Sequence, residues 1–383
     1  MKSSTWSLAG VVLAGFILAT SSVAAESNDA SARAVTNDPV ERSEAGITVA
    51  IDPRVELVAV TQHLSGYAER SQRFKGRIND FDHPYLNALR QHFAGFKEHE
   101  AIKRLAALRV GGSDPMGIAV QLSDPNDVAL QGALDREIVG SEPAEVDAYV
   151  AALRTFARDA AFMDFYTANA ASRAAMVEDF KQSIDLHAIA TETGRYCGAQ
   201  PARYTIILAP LLGRTSFGPN VTTPDGTKVF YAILPASGVA DGHLVFGNRN
   251  HLDEYLWHEF GHSFVNPLVD EHWRDLEKLS GLMNKIQPSR SLNYGREWKI
   301  WVSEHVVRAI AARIVRQQKG ETAYAEQVAR DQGRGFAYLG ELCRSLETYE
   351  QNRDKFPSLS SYFPEIVAVF ERLNETAAKP QAS

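Results

Sequence analysis

Cysteine is scarce in this chain of 383 residues, which contains only Cys197 and Cys343. At most one disulfide is therefore available, and it would join two distant segments. Such a bond forms in an oxidising compartment, whereas two buried free thiols are the alternative. The sequence leaves both alternatives open.

Long apolar runs are also absent, except for Trp6 to Ala19 near the N-terminus. Lys2 precedes this run and Val23-Ala24-Ala25 follows it, which is typical of a signal peptide over residues 1–25. The run is short for a membrane span, and no cysteine near the cleavage site offers a point for lipid attachment. We therefore expect export to the periplasm or the medium, with no stable membrane anchor after cleavage.

An excess of basic residues is missing as well. The chain has 40 Lys and Arg and 47 Asp and Glu, which gives a formal net charge of −7. This balance argues against nucleic acid as a partner. Hydrophobic residues make up 45 % of the chain, which is enough for a substantial core. We find no internal repeat and no glycine-rich phosphate loop.

The pattern along the chain predicts a mostly helical α+β fold. Residues 26–46 are polar and indicate a flexible linker, and residues 376–383 form a polar tail. Residues 47–190 begin with a short strand at Ile47 to Ile51 and are then mainly helical. Residues 191–375 form a second region, in which a small antiparallel or mixed sheet precedes further helices. Its predicted strands are Tyr204 to Leu212, Val229 to Leu234 and Leu244 to Phe246.

One short motif, His258-Glu259-Phe260-Gly261-His262, carries the strongest chemical information. Residues i and i+4 of a helix lie on one face, so both imidazoles can reach one zinc ion. Glu259 then lies where it can accept a proton from a water that the metal activates. The motif predicts a zinc-dependent hydrolase, with peptides as the expected substrate.

Residues around the motif predict a helix of about four turns. Leu252, Leu256, Phe260 and Phe264 recur at helical spacing. Asp253 is expected at the N-cap or in the first turn. Asn266-Pro267 is expected to end the helix, because the residue before proline avoids the α region. Gly261 costs about 1 kcal/mol of helix propensity against alanine, which indicates close approach of a neighbouring element.

A catalytic zinc needs a third protein ligand, and the metzincin pattern does not supply it. That pattern requires a glycine at position 265 and a histidine at position 268, where this chain has Val265 and Leu268. Asp270, Glu271 and His272 follow the motif closely and are expected to cap the helix or face solvent.

Glu304 is the better candidate for the third ligand. It lies in a segment whose apolar residues recur on one stripe, namely Val302, Val306, Ala309 and Ile310. A buried carboxylate is costly unless it meets a cation, and zinc would be that cation. Arg308 is expected to hold Glu304 from behind or to bind a second carboxylate. A simple Glu304–Arg308 helix pair is the alternative.

His258-Glu259-Phe260-Gly261-His262 with a distant Glu304 resembles the gluzincin branch of zinc metallopeptidases. The chain also resembles an uncharacterised family of exported bacterial proteins that share an HEFGHSFVNP core, from about Val49 to Leu373. The resemblance implies a zincin-like catalytic region with one Zn²⁺ per chain, held by His258, His262 and Glu304. Val307 departs from the thermolysin-like pattern, which has an aspartate there, so the support of the ligands must be built differently.

Other parts of the site stay open at this stage. Tyr294, His305, Tyr338 and Tyr349 are candidates to stabilise the oxyanion. Core packing is the better explanation for each tyrosine taken alone, and His305 would point about 100° away from Glu304 on a helix. A free edge of Val229 to Leu234 or of Leu244 to Phe246 would suit an extended peptide substrate.

Two rival functions also remain. One is a zinc hydrolase that acts on a different amide or on an ester, and the other is a catalytically inert binding protein of the cell envelope. The sequence names neither the substrate nor the oligomeric state.

Overall fold

The computed structural model describes residues 47–66, 80–108, 114–135, 139–199, 203–213, 216–222, 226, 228–247, 251–286 and 297–378. All of them belong to one structural unit, Val40–Ser383. The predicted signal peptide and linker lie outside the described residues, as do Tyr294 and the last residues of the predicted tail.

A small mixed sheet joins the two predicted regions of the chain. Its strands are β1 (Ile47–Ala50), β2 (Arg203–Ala209), β3 (Asn220–Thr222), β4 (Lys228–Ala240) and β5 (His243–Phe246). The order is β1-β2-β4-β3, and β5 pairs with the second half of β4. β1, β2 and β4 are parallel, whereas β3 and β5 run antiparallel to β4. The mixed form of the predicted sheet is therefore confirmed.

Helices make up most of the remaining described chain, which confirms the predicted α+β class. The helices before β2 are α1 (Pro53–Leu64), α2 (Pro84–Phe93), α3 (Glu100–Ala107), α4 (Asp114–Ala119), α5 (Pro143–Asp159), α6 (Phe162–Ala168), α7 (Ala170–Gln182) and α8 (Leu186–Cys197). The helices after β5 are α9 (Leu252–Glu271), α10 (Trp273–Leu276), α11 (Trp298–Lys319), α12 (Glu321–Gly333), α13 (Leu339–Gln351) and α14 (Leu359–Ala378).

Helix α9 carries the motif and is packed on two sides. Towards the sheet, the Phe260 ring lies 4.2 Å from the ring of Tyr204 on β2, measured between centroids. Towards α11, a Cβ added at Gly261 would lie 3.1 Å from Cγ1 of Val307. The glycine therefore permits the close approach that the sequence indicated, and the neighbouring element is the helix of Glu304.

The predicted end of the motif helix is wrong. Pro267 lies inside α9, which continues to Glu271. A proline inside a helix removes one backbone hydrogen bond. Leu268 and Val269 are buried, and burial of their side chains favours continuing the helix by an amount comparable with that loss. Asp253 lies in the first turn, as one of the two predicted alternatives, and His251 is the N-cap.

The two cysteines are both free and buried, so the alternative with two thiols is the one observed. Burial raises the pKa of the Cys343 thiol to about 11 and also raises that of Cys197. None of the described helices is both long enough and apolar enough to cross a membrane.

Candidate metal centre

His258, His262 and Glu304 converge between α9 and α11. The two Nε2 atoms of the histidines are 3.3 Å apart. Oε1 of Glu304 lies 3.4 Å from Nε2 of His262, and Oε2 lies 3.7 Å from Nε2 of His258. The structure thus brings together all three residues that the sequence singled out as ligands, although 42 positions separate His262 from Glu304 in the chain.

The spacing of the donor atoms is compatible with a small metal ion. Metal–ligand bonds of about 2.0–2.1 Å at tetrahedral angles place neighbouring donor atoms about 3.3 Å apart. The two histidine nitrogens are separated by that distance, and each lies 3.4 or 3.7 Å from a different oxygen of Glu304, so both carboxylate oxygens face the centre. The three side chains therefore form a group that could hold a metal ion.

The ring orientation of His262 suits a metal ligand. Its Nδ1 lies 3.2 Å from Oδ1 of Asn266, one turn further along α9. Because the amide oxygen only accepts hydrogen bonds, we assign the ring proton to Nδ1, which leaves the lone pair of Nε2 pointing at the centre. Nδ1 of His258 is buried and has no partner among the described residues.

Arg308 supports Glu304 in both of the ways that the sequence suggested. Its Nη2 donates to Oε2 of Glu304 at 3.0 Å, and its Nη1 donates to Oδ1 of Asp331 at 3.1 Å. The guanidinium also stacks on the ring of Phe336, 4.2 Å from its centroid. Burial disfavours the charge of Glu304, but Arg308 and the two histidines outweigh it and lower the pKa of the carboxyl.

The Arg308–Asp331 pair supports Glu304 although position 307 is a valine and not the aspartate of the thermolysin-like pattern. In this chain the buried carboxylate behind the site comes from α12, 27 positions after Glu304, and acts through an arginine. Position 307 is left free to pack against Gly261. Nothing in the local spacing around Glu304 points to Asp331, so sequence reasoning missed it.

Glu259 lies buried beside the three candidate ligands. Burial raises the pKa of its carboxyl, and the charge of His262 and the neighbouring Tyr255 side chain oppose that rise. The backbone of Gly218 covers the same carboxylate so closely that a Cβ there would lie 2.6 Å from Oε2 of Glu259. Tyr255 precedes Glu259 by one helical turn, a spacing that could have identified it, whereas Gly218 carried no such signal.

The tyrosines proposed for the oxyanion are engaged in the core where they are described. The Tyr338 hydroxyl donates to the carbonyl of Leu282 at 2.8 Å, and the Tyr349 hydroxyl donates to the carbonyl of Tyr196 at 2.8 Å. These contacts favour the packing interpretation for both residues. Tyr294 lies outside the described residues.

His305 is a core residue as well. Its side chain is fully buried, and its Nδ1 donates to the carbonyl of Trp301 at 2.7 Å. Burial lowers the pKa of this imidazole to about 4. The neutral ring packs against Phe336 and Tyr338, so it lies behind Glu304 and not beside the two histidines.

The three polar residues after the motif take the places expected of them. Asp270 pairs with Lys299 at 2.5 Å. His272 caps the C-terminus of α9, and Glu271 is exposed. None of them belongs to the described group that could hold a metal.

One predicted substrate edge is wrong. Val229 to Leu234 pairs with β2 on one side, and on the other side with β3 and the backbone of Phe217. The segment Phe217–Thr222, which ends in β3, is therefore the edge of the described sheet on this side. It also contains Gly218, which contacts Glu259.

Comparison with known protein families matches residues 47–369 to a family described as a domain of unknown function, DUF4932. The chain belongs to this family. No curated protein matches the chain, and no solved structure matches it. Evidence on the function of this DUF4932 chain therefore comes from its own residues.

Proposed function

We propose that the protein is a zinc-dependent hydrolase of the gluzincin type that cleaves peptides. The observation that carries this proposal is the grouping of His258, His262 and Glu304, whose donor atoms lie within 4.8 Å of one another, with Glu259 buried beside them. Two imidazoles and one carboxylate leave a fourth position for water or substrate, which is the ligand set of catalytic and not of structural zinc sites. When bound, zinc would activate a water and polarise a substrate carbonyl.

In this proposal Glu259 is the general base. Its buried carboxyl lies beside the candidate ligands, where it can take a proton from a metal-activated water and pass it to the departing amine. The backbone of Gly218 covers the carboxylate, and the Tyr255 side chain lies near it. Arg308 and Asp331 hold Glu304, so that the ligand geometry is set before substrate arrives.

The edge segment Phe217–Thr222 offers backbone that a peptide substrate would pair with. Strand addition at such an edge supplies main-chain hydrogen bonds. Because the same segment covers Glu259, a peptide paired there would have its backbone near the base. This observation favours peptides over a small ester or a different amide as the substrate.

The proposed setting is outside the cytoplasm, and it follows from the N-terminal sequence. Residues 1–25 have the pattern of a signal peptide. The proposed partners are peptide or protein substrates and not nucleic acid, because the chain is acidic overall.

The proposal is tested with Glu259→Gln and with Glu271→Gln as a matched control, since Glu271 is exposed on the same helix. Zinc-loaded wild-type protein should cleave members of a peptide mixture, and a chelator should stop the cleavage. We expect Glu259→Gln to retain zinc and to lose at least about 100-fold in rate, while Glu271→Gln cleaves normally. Cleavage at the wild-type rate by Glu259→Gln would eliminate Glu259 as the base, and zinc binding without any cleavage would favour the inert binding protein.

A further inference from the structure

Arg334 lies in a rigid turn next to the metal centre. The turn connects α12 to α13, and its backbone is fixed by hydrogen bonds from the amides of Arg334 and Phe336 to the carbonyl of Asp331, at 3.0 and 3.3 Å. Gly335 supplies the left-handed conformation, with φ of 109°. Phe336 then anchors the turn in the core beside Arg308.

The guanidinium of Arg334 is only partly engaged. Nη1 lies 3.3 Å from Oδ1 of Asp331, its one hydrogen-bonding contact with the described residues, and 45 % of the side chain is exposed. Arg308 binds the same oxygen of Asp331 at 3.1 Å and is 12 % exposed. Asp331 therefore already has a buried cationic partner, and the exposed second arginine retains N–H groups that can bind another anion.

A short series of contacts leads from Arg334 to the candidate ligands. Asp331 connects Arg334 to Arg308, and Arg308 donates to Glu304 at 3.0 Å. Arg334 is also close enough for its charge to act on His258. It is thus a partly exposed cation connected to Glu304 through Asp331 and Arg308, whereas the side chains of the three candidate ligands are 9–13 % exposed.

The charges around the centre favour an anionic substrate group. Three carboxylates (Glu259, Glu304 and Asp331) and two guanidiniums (Arg308 and Arg334) lie in this cluster, so its side chains carry one net negative charge. A divalent ion at the three candidate ligands would make the cluster net positive, although the whole chain is net negative. Low-dielectric surroundings strengthen the attraction of such a cluster for an anion.

We infer that Arg334 is a specificity-determining residue that binds a substrate carboxylate close to the scissile bond. The carboxylate can be an Asp or Glu side chain or the C-terminal carboxylate of the peptide, because a guanidinium forms the same paired N–H···O bonds with each. This inference rests on the proposed function, since it concerns the substrate of the same site.

A purely structural Arg334 is the alternative, in which it serves only as a second counter-ion for Asp331. The two roles differ in what Arg334→Ala changes. A structural role predicts weaker zinc binding and an equal loss of rate for every substrate. Substrate recognition predicts unchanged zinc binding and a loss confined to substrates that carry a carboxylate.

The first test uses peptide libraries that differ in charge alone. In the first pair, the C-terminus is amidated and one position at a time carries either Glu or Gln. In the second pair, all of these positions carry Gln and the C-terminus is either free or amidated. Wild type should cleave peptides with a carboxylate at one fixed distance from the scissile bond at least about 10-fold faster than their uncharged counterparts. Arg334→Ala should lose this preference, and Arg334→Lys should keep part of it. Arg344→Ala is the control, because it also removes an exposed arginine with an i,i+3 carboxylate partner, and it should retain the preference. The pair that shows the effect identifies the source of the carboxylate.

The second test needs no catalysis and separates this inference from the proposed function. Calorimetry on the zinc-loaded protein measures the binding affinity of dicarboxylates from succinate to adipate. Each is compared with the monocarboxylate of equal chain length. We expect one dicarboxylate to bind about 10-fold more tightly than its partner in wild type, and this advantage to vanish in Arg334→Ala with zinc affinity unchanged. Absence of any advantage in wild type, or its persistence in Arg334→Ala, overturns the inference. Absence of peptide cleavage alone overturns only the proposed peptidase activity.

Discussion

Individual residues define the chemistry of this protein more clearly than its overall fold does. Two histidines, Glu259 and Glu304 could be selected from the sequence, because helical spacing and the cost of a buried carboxylate are local or general properties. The residues that position these four side chains could not be selected in this way. Asp331 lies on α12 and contacts Arg308, and Gly218 lies on the edge segment Phe217–Thr222 and covers Glu259. Only the folded chain shows these contacts.

Gly218 should be required for catalysis and not for metal binding. A Cβ at this position would lie 2.6 Å from Oε2 of Glu259, so Gly218→Ala must displace the carboxylate of the proposed base. Displacement by about 1 Å is expected to lower kcat by about 10- to 100-fold. Gly238→Ala is the matched control, because a Cβ there meets nothing within 4 Å. Equal kcat values for the two variants would show that Gly218 does not position Glu259.

Glu56 should make the stability of the protein depend on pH. Its carboxyl is buried and accepts a hydrogen bond from the Tyr85 hydroxyl at 2.8 Å. Burial outweighs this bond and the charge of Arg173, and raises the pKa from 4.5 to about 7. The folded state therefore holds a proton that the unfolded state has lost, so the free energy of unfolding falls as the pH rises from about 4.5 through about 7.

Urea unfolding at pH 5 and pH 8 measures this effect. Between these two pH values we expect wild type to lose on the order of 2–3 kcal/mol relative to Glu56→Gln. Exposed Glu145→Gln should follow wild type. Parallel pH profiles for wild type and Glu56→Gln would contradict the prediction.

At the scale of elements, strands and helices were predictable but several boundaries were not. The three predicted strands of the second region are present, whereas β3 has three residues, too few to show alternation. Residues 144–184 have one continuous helical pattern, yet Ala161 adopts a left-handed conformation with φ of 46° and divides it. Pro267 signalled a helix end, but packing of the following residues determines where α9 ends.

Contact between α9 and α11 should depend on the pair Gly261 and Val307. A Cβ at position 261 would lie 3.1 Å from Cγ1 of Val307, which is fully buried. We expect Gly261→Ala to lower the free energy of unfolding by about 1–3 kcal/mol despite its better helix propensity. Val307→Ala should also destabilise, by about 1–3 kcal/mol.

The double variant tests whether these two losses are coupled. Because Val307→Ala removes the methyl group that the new Cβ meets, the double variant should lose at least about 1 kcal/mol less than the sum of the single variants. Denaturant unfolding of all four proteins supplies the comparison. Strict additivity would mean that the two helices do not approach as closely as described.

At the scale of the whole molecule, the α+β class followed from periodicity, whereas the topology did not. The strand that begins the described chain pairs with β2, more than 150 residues later. No local pattern specifies such a pairing, because it arises from burial of both faces of a parallel sheet. The three candidate ligands join two helices that are separated by 42 positions between His262 and Glu304, and they were predictable only because the chemistry of zinc requires a third ligand.

Metal content is the measurement that tests the central claim most directly. Wild-type protein purified without chelators and analysed by elemental mass spectrometry should contain about one zinc per chain. Glu304→Ala and His262→Ala should lose most of it, whereas Glu271→Gln should retain it. Absence of zinc from wild type, with no binding when zinc is added, would contradict the account, and so would undiminished zinc in both ligand variants.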